Sequence, residues 1–246
     1  MSDNIDTRVS PSLHPDVLTN IDGYDDEVAP LLAQTAEAFR TAYSGLQSVH
    51  DAREAAFSDP TLTESAALLK VDDYAGPVLD RITRAFDAET ARLTKAINHL
   101  QAELSQPIVS GAGTIEADSI RRHVAALPES KRTAFVQSRI EKGDTITVAA
   151  VLGSRPYLSG LEDDTAAVLT RMHNEKQKPV ESKRLKVMQG ALKVVESNSP
   201  VALRAWTDAV GCIEERNKQG LVTKRTYAAD IRKKVAAASK PFARAS

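Results

Sequence analysis

The 246-residue chain predicts an all-α fold, a long antiparallel N-terminal helical hairpin followed by a region of shorter helices. Three observations carry this. Val28, Leu32, Thr35, Phe39, Ala42, Leu46 and Val49 step by four and three alternately, and Leu79, Ile82, Phe86, Glu89, Leu93, Ala96 and Leu100 by three and four. Such spacing puts each set on one stripe of a helix, with coiled-coil periodicity. Aromatics are 4% of the residues against 42% apolar overall, a balance of Ala, Leu and Val that suits helix packing. Helix caps and stops recur between the apolar runs.

Residues 1–24 read as a flexible acidic arm. Ser10, Pro11, Pro15, Asn20 and Gly23 interrupt any period, and apolar anchors are few. The hairpin is expected over 25–105. Asp25 and Asp26 suit the positive end of a helix dipole, and Pro30 falls in the first turn, where a missing N–H costs little. That helix ends at Ser58-Asp59-Pro60. A shorter helix is expected over Thr61 to Asp73, then a break or kink at Gly76-Pro77, then a second long helix from Pro77 to about Ser105.

Gln106 to Gly113, QPIVSGAG, reads as a linker, and 114–239 as a multi-helix region. Thr114 is a candidate cap for a helix bearing Ile120, Val124 and Leu127 that stops at Pro128. A helix with Phe135, Val136 and Ile140 stops at Gly143, and Asp144 caps a short one with Val148, Val151 and Leu152. The β-branched run Ile146-Thr147-Val148 offers a strand instead, but no second strand is in sight to pair it. Leu161, Val168 and Met172 share a face. Leu185, Met188, Leu192 and Val195 follow a polar break at His173 to Pro179. Ser199-Pro200 reads as the start of a helix with Leu203, Trp206, Val210 and Ile213, ended by Gly220. Tyr227, Ile231 and Val235 sit in a final basic helix, and 240–246 form a tail. Essentially no sheet is expected.

The formal net charge is −1, so the whole chain has no general attraction to nucleic acid or anionic membrane. The ends differ. Seven acids and one Arg lie before Pro30, whereas from Arg216 onward nine bases face only Asp230. Lys224, Arg225, Arg232, Lys233 and Lys234 are the candidate phosphate contacts, with pairing to the acidic head as the alternative. Cys212 is the one cysteine, which excludes an internal disulfide and a cysteine-based zinc site. The polar start is no secretory signal, and no apolar run approaches the ~20 residues of a membrane span.

No catalytic residue, metal site or cofactor is expected. His14, His50, His99, His123 and His173 lack metal-ligand partners at helical spacing. Ser110-Gly111-Ala112-Gly113 lacks the glycine at 116 and the lysine of a phosphate loop. Glu162, Asp163 and Asp164 suit the first turn of a helix. Val148 to Glu162 has Ala149 and Gly153 at the helix-turn-helix interval, but Pro156 interrupts the would-be recognition helix and three acids follow.

The central block HVAALPESKRTAF…IEKGDTITVAAVLGSRPYLSGL resembles a pattern in uncharacterised helical proteins of proteobacterial phages and prophages. Leu127-Pro128, Arg132, Gly143-Asp144, Ala149-Ala150-Val151-Leu152, Pro156 and Leu158-Ser159-Gly160-Leu161 carry the resemblance, over roughly a fifth of the chain. It implies a phage particle or its assembly, with the protein in the host cytoplasm during assembly and then in the virion.

The expectation is therefore a non-enzymatic structural or assembly protein that forms a homo-oligomer or docks on other virion proteins. Its interface is expected along the hairpin seam: Val28, Leu32, Phe39, Leu46, Val49, Ile82, Phe86, Leu93 and Leu100. The alternative is a nucleic-acid-associated protein that binds phosphate backbone through the basic C-terminal helix.

Overall fold

The computed structural model describes residues 6–108 and 115–243, with side chains up to Ser239. Helix accounts for 78% of the chain, and the fold is all-α. The α-helices are α1 (Ala33–Ser58), α2 (Glu64–Leu104), α3 (Ile115–Ala126), α4 (Glu129–Lys142), α5 (Thr145–Leu152), α6 (Asp163–Gln177), α7 (Pro179–Val210) and α8 (Ala228–Ala243). A ribbon of two strands, β1 (Ile213–Arg216) and β2 (Val222–Thr226), precedes α8. The described residues fall into two compact units. One holds those up to Leu93 and from Gly190 onward, the other Thr94–Gln189.

In the first unit, α1 and α2 pair in opposite directions. Arg92 donates to the Leu31 carbonyl, Thr35 to Glu89, Phe39 stacks tilted on Phe86 at 5.2 Å, and Gly45 faces Val78 and Ile82. Gly45 matters because a Cβ there would stand 3.0 Å from Val78 Cγ1. The buried positions of α1 continue a seven-residue step from Val28 to Thr35, Ala42, Val49 and Ala56. Those of α2 step by eleven instead: Val71, Ile82, Leu93 and Leu104, with Ala75, Phe86 and Ile97 between. A period of about 3.67 residues per turn does not drive the left-handed supercoil that a heptad does. Val78 in the first unit and Ile97 in the part of α2 that belongs to the second, rather than Leu79 and Ala96, are therefore the buried positions of α2.

One polar cluster interrupts the seam. Glu89 is 4% exposed and accepts from the Thr35 hydroxyl at 2.5 Å and from both Nε and Nη2 of Arg92 at 2.8 and 2.7 Å. The carboxylate is thus buried with its donors in place.

The expected break at Gly76-Pro77 is absent, and so is a separate helix over Thr61 to Asp73. Pro77 lies inside one 41-residue helix. A proline removes one helical hydrogen bond and costs about 3 kcal/mol. Against that, Leu68, Val71, Ala75, Val78 and Ile82 form an unbroken buried stripe through the site. Gly76 eases the clash a proline imposes on the residue before it. The expected start at Ser199-Pro200 is likewise internal to α7. There Ser197, Asn198 and Ser199 donate to the carbonyls of Val194 and Val195. Trp206 fastens α7 to α2, its indole N–H donating to the Ala75 carbonyl at 2.9 Å.

The acidic arm is folded from Asp6 onward, contrary to expectation. Short 3₁₀ turns at Pro11–Leu13, Pro15–Asn20 and Ala29–Leu32 bury Leu13, Leu18 and Leu32, and Val9, Ile21 and Val28 are buried beside them. Val9, Leu13, Leu18 and Ile21 are too irregularly spaced to show a period. Ile21 packs where α7 has Gly190, a position at which any Cβ would overlap it. Arg8 joins Asp6 to Asp51 of α1 at 2.7 Å each, and the backbone N–H of Asp6 donates to Tyr43. Because Pro30 and its neighbours form a 3₁₀ turn, α1 begins at Ala33 rather than near Asp25.

The second unit has its own core. Val124, Val136, Ile140, Val148, Val151 and Leu169 from α3, α4, α5 and α6 are buried together with Leu161 from the turn before α6. Asp144 caps α5 by accepting from Thr147, and Ile146-Thr147-Val148 is helical. Gly143 closes α4 at φ 72°. Thr114, most of the expected linker and the glycine-rich run 110–113 lie outside the described residues, as do 244–246 of the tail.

The nine expected interface residues are eight buried and one half-buried. Phe39, Leu46, Val49 and Leu93 are at 0% exposure, and Val28, Leu32, Ile82 and Phe86 at no more than 3%, while Leu100 is intermediate. Eight of the nine are thus covered by other residues of the chain itself.

Two outcomes follow. Phe39→Ala should lower unfolding free energy by about 3–5 kcal/mol in a urea titration, with no change in sedimentation mass. Glu89→Ala should cost about 1–3 kcal/mol, because it strands the Thr35 hydroxyl and the Arg92 guanidinium, and Glu89→Gln less.

Acid should loosen the first unit. Burial, with Arg8 nearby, holds His50 below its usual 6.5, and the hydrogen bonds from Arg8 hold the Asp6 carboxyl at about 2. Both folded values lie below the unfolded ones, so the unfolded chain binds more protons and stability falls as pH falls. The His50 contribution is complete above pH 6.5 and erodes below it, and the Asp6 contribution erodes from 3.8 down to about 2. Melting temperature measured from pH 8 to pH 3 should decline below 6.5, and less steeply in His50→Gln. A flat profile to pH 4 would contradict this.

Candidate interaction surface: the C-terminal ribbon and helix

The expected helix from Leu203 to Gly220 stops at Val210, and a ribbon follows where no sheet was expected. Gly211 makes the turn at φ 72°, a conformation that favours glycine. It is also required sterically, since a Cβ there would overlap the Arg53 guanidinium. Arg53 donates to the Asp208 carbonyl at 3.3 Å and lies 5.7 Å over the Phe57 ring. Beyond Cys212 the strands pair antiparallel, Ile213 with Thr226, Glu214 with Arg225 and Glu215 with Lys224. Asn217 closes the loop: its carboxamide oxygen accepts from the N–H groups of Gln219 and Leu221, its carbonyl accepts from Gly220, and Gly220 takes φ 80°. An Asn three residues before a Gly, flanked by Ile213, Val222 and Thr223, was the legible signal.

Charge pairs run along the ribbon. Lys224 pairs with Glu215, and Glu214 takes Arg216 at 2.5 Å and Arg225 at 3.2 Å. Those hydrogen bonds, from Arg216 first, hold the Glu214 carboxyl below its usual range. Every strand residue except Ile213 and Thr226 is exposed.

Helix α8 sits on the first unit by little more than one turn. Ala228 and Ile231 are buried, and the backbone N–H of Tyr227 donates to Asp230 at 3.3 Å. Arg232 clasps α2, reaching Asp73 at 2.6 Å and Asp72 at 2.8 Å. The stripe Tyr227–Ile231–Val235 is therefore buried only at its middle, with Tyr227 43% and Val235 56% exposed. Leu221 at the ribbon tip is 63% exposed.

This arrangement redistributes the five expected phosphate contacts. Lys224, Arg225 and Arg232 are held by carboxylates of the chain itself, namely Glu215, Glu214 and the Asp72–Asp73 pair. The acids that hold them belong to β1 and α2, not to the acidic head. Lys233 and Lys234 are exposed and make no ion pair among the described residues.

A cleft of about 530 Å³ lies at the foot of the ribbon, lined by Arg53, Asp208, Cys212, Arg225 and Tyr227 among others. Cys212 is a half-buried free thiol. Its charges balance, Arg53 and Arg225 against Asp208 and Glu214.

The remaining candidates resolve into structural roles. Asp163 and Asp164 lie in the first turn of α6. His14 packs edge-on against Tyr43 at 5.0 Å and His123 against Phe135 at 5.5 Å. Burial lowers the His173 pKa, with Lys176 adding to it. No group of three or more His, Cys, Asp or Glu stands together as a metal site among the described residues. After α5, the would-be recognition segment is one 3₁₀ turn, Pro156–Ser159, so Val148 to Glu162 is not a helix-turn-helix.

The residues of the central block hold the second unit together. Arg132 donates to the carbonyls of Ala125, Leu127 and Gly160 at 2.8–3.0 Å, tying the end of α3 to the turn before α6. Gly160 stands at φ 67°, where a Cβ would lie 2.9 Å from that guanidinium. Comparison with protein-family models, curated proteins and solved structures finds no match for the chain.

Gly160→Ala should destabilise by about 1–2 kcal/mol from the left-handed backbone alone, with further loss if Arg132 is displaced, read by thermal melting. Arg232→Ala should speed hydrogen exchange in α8 and leave α1 unchanged, and added salt should mimic it in the wild type.

Proposed function

We propose that this is a non-enzymatic structural or assembly protein, a component of a phage particle or of its assembly, acting through protein–protein contact at its C-terminal ribbon and α8. The observation that carries this reading is a contrast. The long helical seam is closed within the chain, whereas Leu221, Tyr227 and Val235 lie exposed on elements with little buried area of their own. Exposed apolar side chains rimmed by charge are the ordinary makings of a contact surface. The phage setting rests on the central block's resemblance, and with it go the host cytoplasm during assembly and the virion afterwards. No helix of the described residues is long and apolar enough to cross a membrane.

The nucleic-acid reading is weaker. Of the five candidate cations, Lys233 and Lys234 have no acidic partner among the described residues. Two phosphate contacts would give a slope of log K against log salt of only about −2 on duplex DNA.

The test is co-sedimentation of the full chain, alone over a concentration series and with the products of genes adjacent to its own. Self-association, or a complex with a particle protein that is weakened by Leu221→Asp with Val235→Asp, is the expected result. A chain that stays monomeric and binds none of them overturns the reading. A DNA affinity falling with a slope steeper than −5 would favour the alternative.

A further inference from the structure

The two edges of the ribbon carry opposite charge. β1, Ile213-Glu214-Glu215-Arg216, presents two adjacent acids, and β2, Val222-Thr223-Lys224-Arg225-Thr226, presents two adjacent bases and no acid. The sheet has these two strands alone, so each has one edge without a neighbour among the described residues. A two-stranded ribbon exposed along most of its length is marginal in water and gains from a third strand.

We propose, resting on the assembly reading above, that copies of this chain join head to tail through the ribbon, β1 of one copy pairing with β2 of the next. The choice of partner follows from cross-strand charge. In every antiparallel register that overlaps three or more residues, β1 against β1 sets a glutamate opposite a glutamate. β2 against β2 brings no opposite charges together and, when centred, sets Lys224 opposite Lys224. Like charges directly opposite destabilise a pair. β1 against the β2 of another copy repeats the register already present within the chain, Glu214 opposite Arg225 and Glu215 opposite Lys224. Each acid then lies between two bases. The strands are short, charged and irregular between Glu215 and Arg216. These features discourage indiscriminate edge pairing and leave the complementary pairing as the favoured one. A head-to-tail contact uses two different surfaces, so it closes into a ring or extends as a filament rather than stopping at a two-fold dimer.

The deciding experiment reverses both strands at once: Glu214→Lys, Glu215→Lys, Lys224→Glu and Arg225→Glu in one chain. Every cross-strand pair within the ribbon is kept with its sign inverted. Wild type and the reversed variant should each form species larger than a dimer as concentration rises. A mass that stops at the dimer overturns the proposal. A wild type that remains monomeric but binds a particle protein also overturns it, while the assembly reading stands. Disulfide trapping decides which strands meet, and does so even if the reversed variant does not fold. In a Cys212→Ser background, Glu214→Cys copies mixed with Arg225→Cys copies should give the mixed disulfide, and only like-with-like disulfides would refute the pairing.

Discussion

Glu89 sets the alignment of the α1–α2 seam, and much of the first unit depends on that alignment. Its carboxylate is buried at the place where Thr35 and Arg92 supply three donors. A slip of one turn along α1 would put it beside Leu32 or Phe39, which have no side-chain donor to give. Arg92 lies on α2 and would move with Glu89, so the slip costs the Thr35 hydrogen bond and the contact of Arg92 with the Leu31 carbonyl, about 1–3 kcal/mol for a buried group left short of a partner, even though the apolar contacts would be similar. The true register in turn brings Gly45 opposite Val78 and Phe39 onto Phe86. It also fixes where α2 offers the Ala75 carbonyl to Trp206 and the Asp72–Asp73 pair to Arg232. The seating of α7 and α8 is thus linked to one polar triad by a chain of specific contacts.

The two stripes differ in period, and this bears on how the two long helices pack. A seven-residue step on α1 against an eleven-residue step on α2 keeps two helices in contact only over a limited length. A regular coiled coil, extendable by another copy, does not arise from such a pair. The expectation of an association seam came from reading both stripes as heptads. The spacing alone did not separate Leu79 from Val78 or Ala96 from Ile97, since each neighbour is apolar and lies within one stripe's width. Burial in the folded chain separates them.

The legibility of the rest follows the same physics. Boundaries marked by local chemistry were visible in the residues: Gly143 as a stop, Asp144 as a cap, Ser58-Asp59 as an end. Their partners lie within a few positions. Prolines misled at 77 and 200, because a local penalty of a few kcal/mol is outweighed by a long buried stripe that only tertiary structure reveals. The N-terminal segment was misread for the opposite reason. Its anchors, from Val9 to Ile21, have no period because 3₁₀ turns and bends place them one at a time. The ribbon was missed because its strands are charged rather than alternating. Their cross-strand pairing of Glu214 with Arg225 and Glu215 with Lys224 is a long-range fact, invisible until the Asn217–Gly220 loop is recognised as a turn.

The basic tail shows how far composition misstates electrostatics. Counted along the chain, it is a cluster of cations with a single acid. In space, β1 and α2 return carboxylates to three of its side chains. Each such pair is worth little stability at an exposed site. It nevertheless changes what the surface can attract, because a guanidinium already held by two aspartates gains less from a phosphate. The C-terminal surface therefore presents its apolar residues, Leu221, Tyr227 and Val235, against a background of largely compensated charge. That combination favours a partner with its own patterned charges over a uniformly anionic polymer. Patterned complementarity sets orientation as well as attraction, the property an assembling subunit needs from its contacts.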